Sequence, residues 1–413
     1  MTPFQFEQAH QALQAILPLT YPADVSLSHY FRNHPALGAQ DRNFIAESVF
    51  GVLRHRLWLE WRAPDATPRQ LLLAYMRLVR SLPQRELAPL LSEADTAWLT
   101  ALLAAAPTEQ PLIARAELPD WVLPHLKDMP EADIVALGRG LREPAPLDLR
   151  VNTLKSTREQ ALAALQQAGW QAEPTPFSPL GIRMPGKPAI NRHPLFLEGG
   201  VEVQDEGSQL LGLLLAPKRH DMVVDFCAGA GGKTLLLGAL MASQGRVYAF
   251  DVSEKRINNL KPRLKRSGLS NVHPQLIAHE NDSRIKRLQG KIDKVLVDAP
   301  CSGLGTLRRN PDLKWRQSEA SLQDLLQRQA SILESAARLV KPGGRLVYAT
   351  CSILPDENQL QITRFLQSHP AFRVVPVSSL LPQVPQQGDY LQLYPHVHAT
   401  DGFFAAVLER VPD

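Results

Sequence analysis

From about residue 200 the chain alternates short apolar runs with helical patterns, and each run ends on a residue that can do chemistry. Val223-Val224-Asp225-Phe226 leads into Cys227-Ala228-Gly229-Ala230-Gly231-Gly232-Lys233-Thr234. Arg246–Phe250 ends on Asp251, Lys294–Val297 on Asp298, and Arg345–Ala349 runs on to Cys351. Ser253 is placed to cap a helix from Glu254. Ser318 opens a long helical pattern to Val340, stopped by Pro342-Gly343-Gly344, and Phe403–Leu408 reads as a last strand. Such alternation predicts an α/β domain, a parallel sheet with helices on both faces. A glycine turn between strand and helix lets the backbone close on a ligand and aims helix N–H groups at it.

The turn is not a P-loop, which needs a glycine where Cys227 stands, and Gly229, Gly231 and Gly232 do not make G-x-G-x-x-G. Asp251 follows at the end of the next strand, where a carboxylate can take ribose hydroxyls. These residues define a nucleotide-like ligand and no more.

A chain of 413 residues is too long for one ordinary core, so two or three domains are expected. With 44% hydrophobic and 21% charged residues it is globular. No apolar run reaches the ~18 residues of a membrane span, and the start has no signal-peptide pattern. Three cysteines without CxxC spacing exclude a disulfide framework, and no metal site is expected. Free thiols fit the cytoplasm. Net charge is only +4, but Glu254 to Lys294 carries 11 Lys and Arg against 4 Asp and Glu. A solvated helix face explains such a block about as well as a polyanion does. Arg308, Arg309, Lys314 and Arg316 add a second basic cluster, which favours RNA.

The first 117 residues read as helical. Ile45, Val49, Leu53 and Leu57 share one face, with Asp41 as the expected N-cap. Thr67-Pro68 and Ser92 open two further helices. Residues 118–200 read as a mixed α+β connector. In it Pro119-Asp120-Trp121 starts a helix, Leu147–Val151 forms a strand, and Ser156-Thr157-Arg158-Glu159 is a capping box. Residues 201–413 form the α/β domain.

Two cysteines stand in short frames at strand ends, Asp298-Ala299-Pro300-Cys301-Ser302-Gly303 and Tyr348-Ala349-Thr350-Cys351-Ser352. Alone, each would most simply be a small buried residue. Together with the glycine turn, and in this order, they resemble the RsmB/Fmu (Sun) family of RNA cytosine-5 methyltransferases. Arg150-Val151-Asn152 resembles the start of that family's small RNA-facing subdomain, and Asp41–Arg54 resembles its NusB-type helical head.

The resemblance implies a Rossmann-like class I methyltransferase domain behind an all-α NusB-like domain. It also implies the cofactor S-adenosyl-L-methionine, bound by Cys227, Ala228, Gly229, Ala230, Gly231, Gly232 and Lys233 with Asp251, Asp282 and Asp298. Many members carry Ala-Pro where this chain has Gly229-Ala230. Cys351 would be the nucleophile, Cys301 would assist product release, and Asp298 would contact the base. Arg150, Asn152, Arg308, Arg309 and Lys314 would face RNA. A thiolate added to carbon 6 of cytosine makes carbon 5 nucleophilic, which is covalent catalysis with a cofactor. The NusB-like head points to 16S ribosomal RNA, and nothing in the sequence demands more than a monomer. The same chemistry on transfer RNA, or a non-catalytic assembly factor, are the other readings.

Overall fold

The structure, a computed structural model, describes residues 1–186, 188–385 and 388–412. The chain divides into two compact units, one of residues 1–144 with 306–319, the other of 145–305 with 320–413. The expected boundaries at 117/118 and 200/201 are not where these units divide. Helix Glu131–Arg142 stays with the helical unit, packed on Leu112–Ala116, and the sheet of residues 147–203 belongs to the larger unit.

The helical unit buries one apolar cluster. Phe6, Leu13, Ile45, Val49 and Leu53 meet at its centre, the spacing of helix faces. Helix Ala39–Arg54 starts one turn before its expected cap. Gly38 is the N-cap, and Asp41 reaches back to accept from its N–H at 3.2 Å. Thr67 and Ser92 cap their helices as expected, each in a capping box. Trp121 opens no α-helix, only the 3₁₀ turn Leu123–Leu126, because Pro124 and Pro130 interrupt the segment.

In the larger unit a four-stranded antiparallel sheet comprises β1 (Leu147–Val151), β2 (Glu173–Pro174), β3 (Gly181–Met184) and β4 (Val201–Val203), in the order β2-β3-β1-β4. The capping box after β1 is Thr157 with Gln160, one residue later than expected. The main sheet follows: β5 (Met222–Asp225), β6 (Arg246–Asp251), β7 (Val272–Leu276), β8 (Ile292–Asp298), β9 (Val340–Thr350), β10 (Phe372–Val375), β11 (Leu391–Leu393) and β12 (Phe403–Arg410). Its order is β10-β12-β9-β8-β5-β6-β7, with β11 also on β12. The pairs from β9 to β7 are parallel, and β12 pairs antiparallel.

Both faces are covered. Val223, Leu296 and Val347 pack on one side, and their neighbours Val224, Val297 and Tyr348 on the other. The long helix ends at Ala337, not Val340, because Val340 already pairs with Ile292. The chain leaves β5 for β6 on one side and returns to β8 on the other. The carboxyl ends of β5 and β8 therefore flank a topological switch point, where α/β sheets bind ligands. Among the described residues, no helix is long and apolar enough to cross a membrane.

Candidate active site

A cleft of about 730 Å³ opens at this switch point. Gly229 after β5, Asp251 at the end of β6, Asp298 at the end of β8 with Cys301 just beyond, and Cys351 after β9 all line it. These are the strand-end residues singled out in the sequence, brought to one edge by the parallel sheet.

The glycine turn is held through its backbone. Gly229 and Gly231 have φ of 59° and 85°, left-handed values that glycine takes without strain. A Cβ on Gly229 would meet nothing within 4 Å, so the turn leaves open space beside the cleft. The Gly229 N–H donates to Asp251 Oδ2 at 2.8 Å, while Asp251 Oδ1 accepts from Ser253 N at 2.8 Å. Two arginines take the carbonyls of the turn. Arg263 Nη1 donates to Ala230 O at 2.6 Å, and Arg150 Nη1 to Gly232 O at 2.6 Å. Arg263 is itself fixed by Glu202 at 2.9 Å, and Arg150 also bonds Gln204 Oε1. Burial pushes the Arg150 guanidinium down to about 10, still charged at neutral pH.

Lys233, at the start of helix Gly232–Leu240, pairs with Asp298 at 2.6 Å. Burial opposes its charge, but Asp298 outweighs burial and raises its pKa above the ordinary lysine value. Cys351 also contributes to that rise, so the ammonium and the Cys351 sulfur interact. The two sulfurs of Cys301 and Cys351 are 3.4 Å apart. Contact with Cys351, then burial, pushes the Cys301 thiol well above the usual cysteine range, so it is a neutral S–H. Cys227 packs on the core beside Val224, and burial keeps its thiol neutral too.

Asp282 takes the plainer role of a cap. It accepts from Arg284 N at 2.9 Å and Ala278 N at 3.0 Å, which shapes the Ala278–Glu280 wall of the cleft without its carboxylate lining it. Four of the five residues expected to face RNA are buried in this structure. Arg150 holds the glycine turn. Asn152 donates to Gly199 O and Ser267 O, each at 2.9 Å. Lys314 pairs with buried Glu117 at 2.8 Å, and Arg308 is only 4% exposed. Both lie in the helical unit, in which Arg308 O also accepts from Arg54. Of the five, Arg309 alone is partly exposed. Sequence reasoning missed Arg263, Glu202 and Glu357. Arg263 was hidden in a basic block, and Glu357 carries no motif except its nearness to Cys351.

A family described as "16S rRNA methyltransferase RsmB/F" matches residues 212–409, and a ferredoxin-like domain of RsmF/B-like methyltransferases matches 118–191. The chain is 32% identical to a probable ribosomal RNA small subunit methyltransferase B of Synechocystis, aligned over 94% of this chain and 95% of that protein. It is 36% identical to ribosomal RNA small subunit methyltransferase B of Yersinia pseudotuberculosis, over 70% of this chain and 65% of that protein. The solved structure of PH0851 superposes with a TM-score of 0.81 at 28% identity, covering 99% of both chains. A methyltransferase homologue from Pyrococcus horikoshii gives a TM-score of 0.64 at 28% identity, covering 74% of this chain and 100% of that one.

Proposed function

The chain belongs to the RsmB/F family of S-adenosylmethionine-dependent ribosomal RNA methyltransferases, and from that premise we propose that it methylates carbon 5 of a cytosine in 16S ribosomal RNA through a covalent adduct with Cys351. The observation that carries the reading is the pair of thiols 3.4 Å apart in one cleft with the Lys233–Asp298 ion pair.

The residues present fit the cofactor. The glycine turn offers backbone close to the cleft, and Asp251 stands at its edge with one oxygen on Gly229 N and the other on Ser253 N. When bound, S-adenosylmethionine supplies an electrophilic methyl group.

Cys351 is the better nucleophile of the two. Cys301 is held as a neutral thiol, and its S–H can donate to the Cys351 sulfur 3.4 Å away. The Cys351 thiolate adds to carbon 6, and the electron pair of the 5,6 double bond moves to carbon 5. The Lys233–Asp298 pair carries the proton that nitrogen 3 needs as the ring gains charge. After methylation the carbon-5 proton is lost to solvent, the double bond reforms, the sulfur leaves as a thiolate and nitrogen 3 returns its proton to the Lys233–Asp298 pair. Cys301 assists that departure by donating its S–H to the leaving sulfur. The target base has to leave any stack to reach the thiols. We read the helices of residues 1–117 as a NusB-like module that recognises the ribosomal substrate.

Transfer of labelled methyl to unmodified 16S and transfer RNA, offered separately and followed by nucleoside analysis, tests this. Label in 5-methylcytidine from 16S RNA is expected. Label in another nucleoside, or in transfer RNA alone, overturns the reading.

A further inference from the structure

Glu357 is fully buried, lies in the loop after Cys351, and has no part in the mechanism above. A buried carboxylate is costly unless donors surround it. Here Ser302 N donates at 2.8 Å, Ser302 Oγ at 2.5 Å and Gln329 Nε2 at 2.9 Å, and Ser352 Oγ also donates. Ser302 follows Cys301 directly, and Ser352 follows Cys351. The two serine oxygens are 3.2 Å apart, so one carboxylate spans both loops. Gln329 extends the tie to Pro300 O at 2.9 Å, on the other side of Cys301. Asn358 donates to Ser352 O at 3.0 Å and accepts from Thr350 Oγ1, which brackets Cys351 in the same way.

For stability alone, a well-packed apolar side chain would serve such a site as well as an ion. What an apolar group cannot do is bind four donors from three segments at once. We propose that Glu357 is a positioning residue that fixes the distance between the Cys301 and Cys351 sulfurs, and through it the release of the methylated product. The second half rests on the roles proposed for the two thiols. The first half stands without them.

A carboxylate accepts at both oxygens. Here Oε2 takes both serine hydroxyls, and Oε1 takes Ser302 N and Gln329 Nε2. An amide keeps one acceptor and presents an N–H₂ either to the two hydroxyls or to the Ser302 N–H and the Gln329 amide. Glu357→Gln therefore keeps the volume and weakens the clamp that joins the two loops. Phenylarsine oxide reads the spacing directly: two thiols each form an As–S bond, their protons leave with the arsenic-bound oxygen as water, and nothing is oxidised. The wild-type chain should take up the arsenical as a ring bridging Cys301 and Cys351, located by peptide mass spectrometry. In Glu357→Gln the bridging rate should fall roughly 10- to 100-fold, the cost of about an ångström of misplacement. Each thiol should still react with iodoacetamide, and the melting transition should remain cooperative.

In turnover the variant should lose kcat while keeping KM for S-adenosylmethionine, and should accumulate a denaturation-resistant protein–RNA complex. Wild-type bridging in a folded Glu357→Gln chain, or failure of the wild type itself to bridge, overturns the proposal. Should that variant not fold, Ser352→Ala removes one of the four donors and must slow bridging in smaller measure. A folded Ser352→Ala chain that bridges at the wild-type rate overturns it as well. Bridging needs neither RNA nor cofactor. Its loss in a protein that proves to methylate nothing would leave the positioning role standing and remove only the methyltransfer mechanism.

Discussion

The two walls of the cleft are held by opposite charges. On the glycine-turn side the struts are cations, Arg150 and Arg263, and they grip carbonyls at Gly232 and Ala230. On the thiol side the strut is an anion, Glu357, and it grips an N–H and three side-chain donors. The difference follows from what each wall leaves unsatisfied. The glycine turn points Gly229 N at Asp251 and has carbonyls left over, whereas the Cys301 loop leaves the Ser302 N–H without a partner in the sheet. Arg150 and Glu357 are buried and Arg263 is partly buried, so each acts on backbone geometry and leaves the cleft surface to other residues. The glycine-turn wall should therefore govern cofactor affinity, and the thiol wall should govern chemistry.

The largest effects lie where the walls meet. Asp298 ends β8 on the thiol side and takes Lys233 from the turn side at 2.6 Å. Asp298→Asn keeps the shape and removes the charge, so kcat should fall by about 10²–10⁴, the usual worth of a positioned proton-transfer group. Steady-state methyl transfer measures it, and a fall of less than tenfold would show that the pair is only a structural link between the walls. Cys351→Ala should abolish transfer outright, and Cys301→Ala should stall after methylation as a complex that survives denaturing electrophoresis. The reverse pattern would exchange the two roles.

A smaller effect separates the walls. Arg150→Met leaves Gly232 O and Gln204 without their buried donor, so the turn should relax. KM for S-adenosylmethionine should rise about tenfold, some 1.4 kcal/mol, with kcat little changed. Isothermal titration with the cofactor would check the same loss at equilibrium. A fall in kcat at constant affinity would mean that the walls are not independent. Arg263→Met should act in the same direction and more weakly, since Arg266 still pairs with Glu202.

The strand ends could be read from the sequence because continuous apolar runs are local and the parallel sheet places every carboxyl end on one edge. Asp251, Asp298, Cys301 and Cys351 needed nothing more. The struts could not be read that way, because their partners are distant in sequence. Arg150 was expected to face RNA because Arg150-Val151-Asn152 resembles the start of an RNA-facing subdomain. Its partner Gly232 O lies 82 residues on, across a sheet-to-helix packing that no local pattern reports. Lys314 misled in the same manner, since only the fold brings it to Glu117. Asp282, expected beside the cofactor, accepts instead from Arg284 N and Ala278 N as a local cap, which Asn-Asp-Ser turn chemistry favours.

The smallest effect on catalysis should come from Asp225, behind the glycine turn. Burial pushes its carboxyl up to about 7, against the Thr234 hydroxyl that donates to Oδ2 at 2.7 Å. Its Oδ1 has no partner among the described residues. An unfolded aspartate titrates near 3.9. Below about pH 4 both states are protonated and the group contributes nothing. Between about pH 4 and 7 the folded chain holds the proton that the unfolded chain has lost. Stability then falls as pH rises, by about 1.4 kcal/mol per unit, and the loss is complete once pH passes the folded value. Asp225→Asn removes the titration. Its amide N–H₂ leaves a buried donor in place of Oδ1, a cost of about 1–3 kcal/mol that does not vary with pH. The melting temperature of the variant relative to wild type should therefore climb from pH 4 to 7 and then level off, whatever its starting offset. A difference that stays flat across that range would mean that the fold tolerates an ionised Asp225. Lys233, which opposes that rise, would then stabilise the Asp225 carboxylate as well as Asp298.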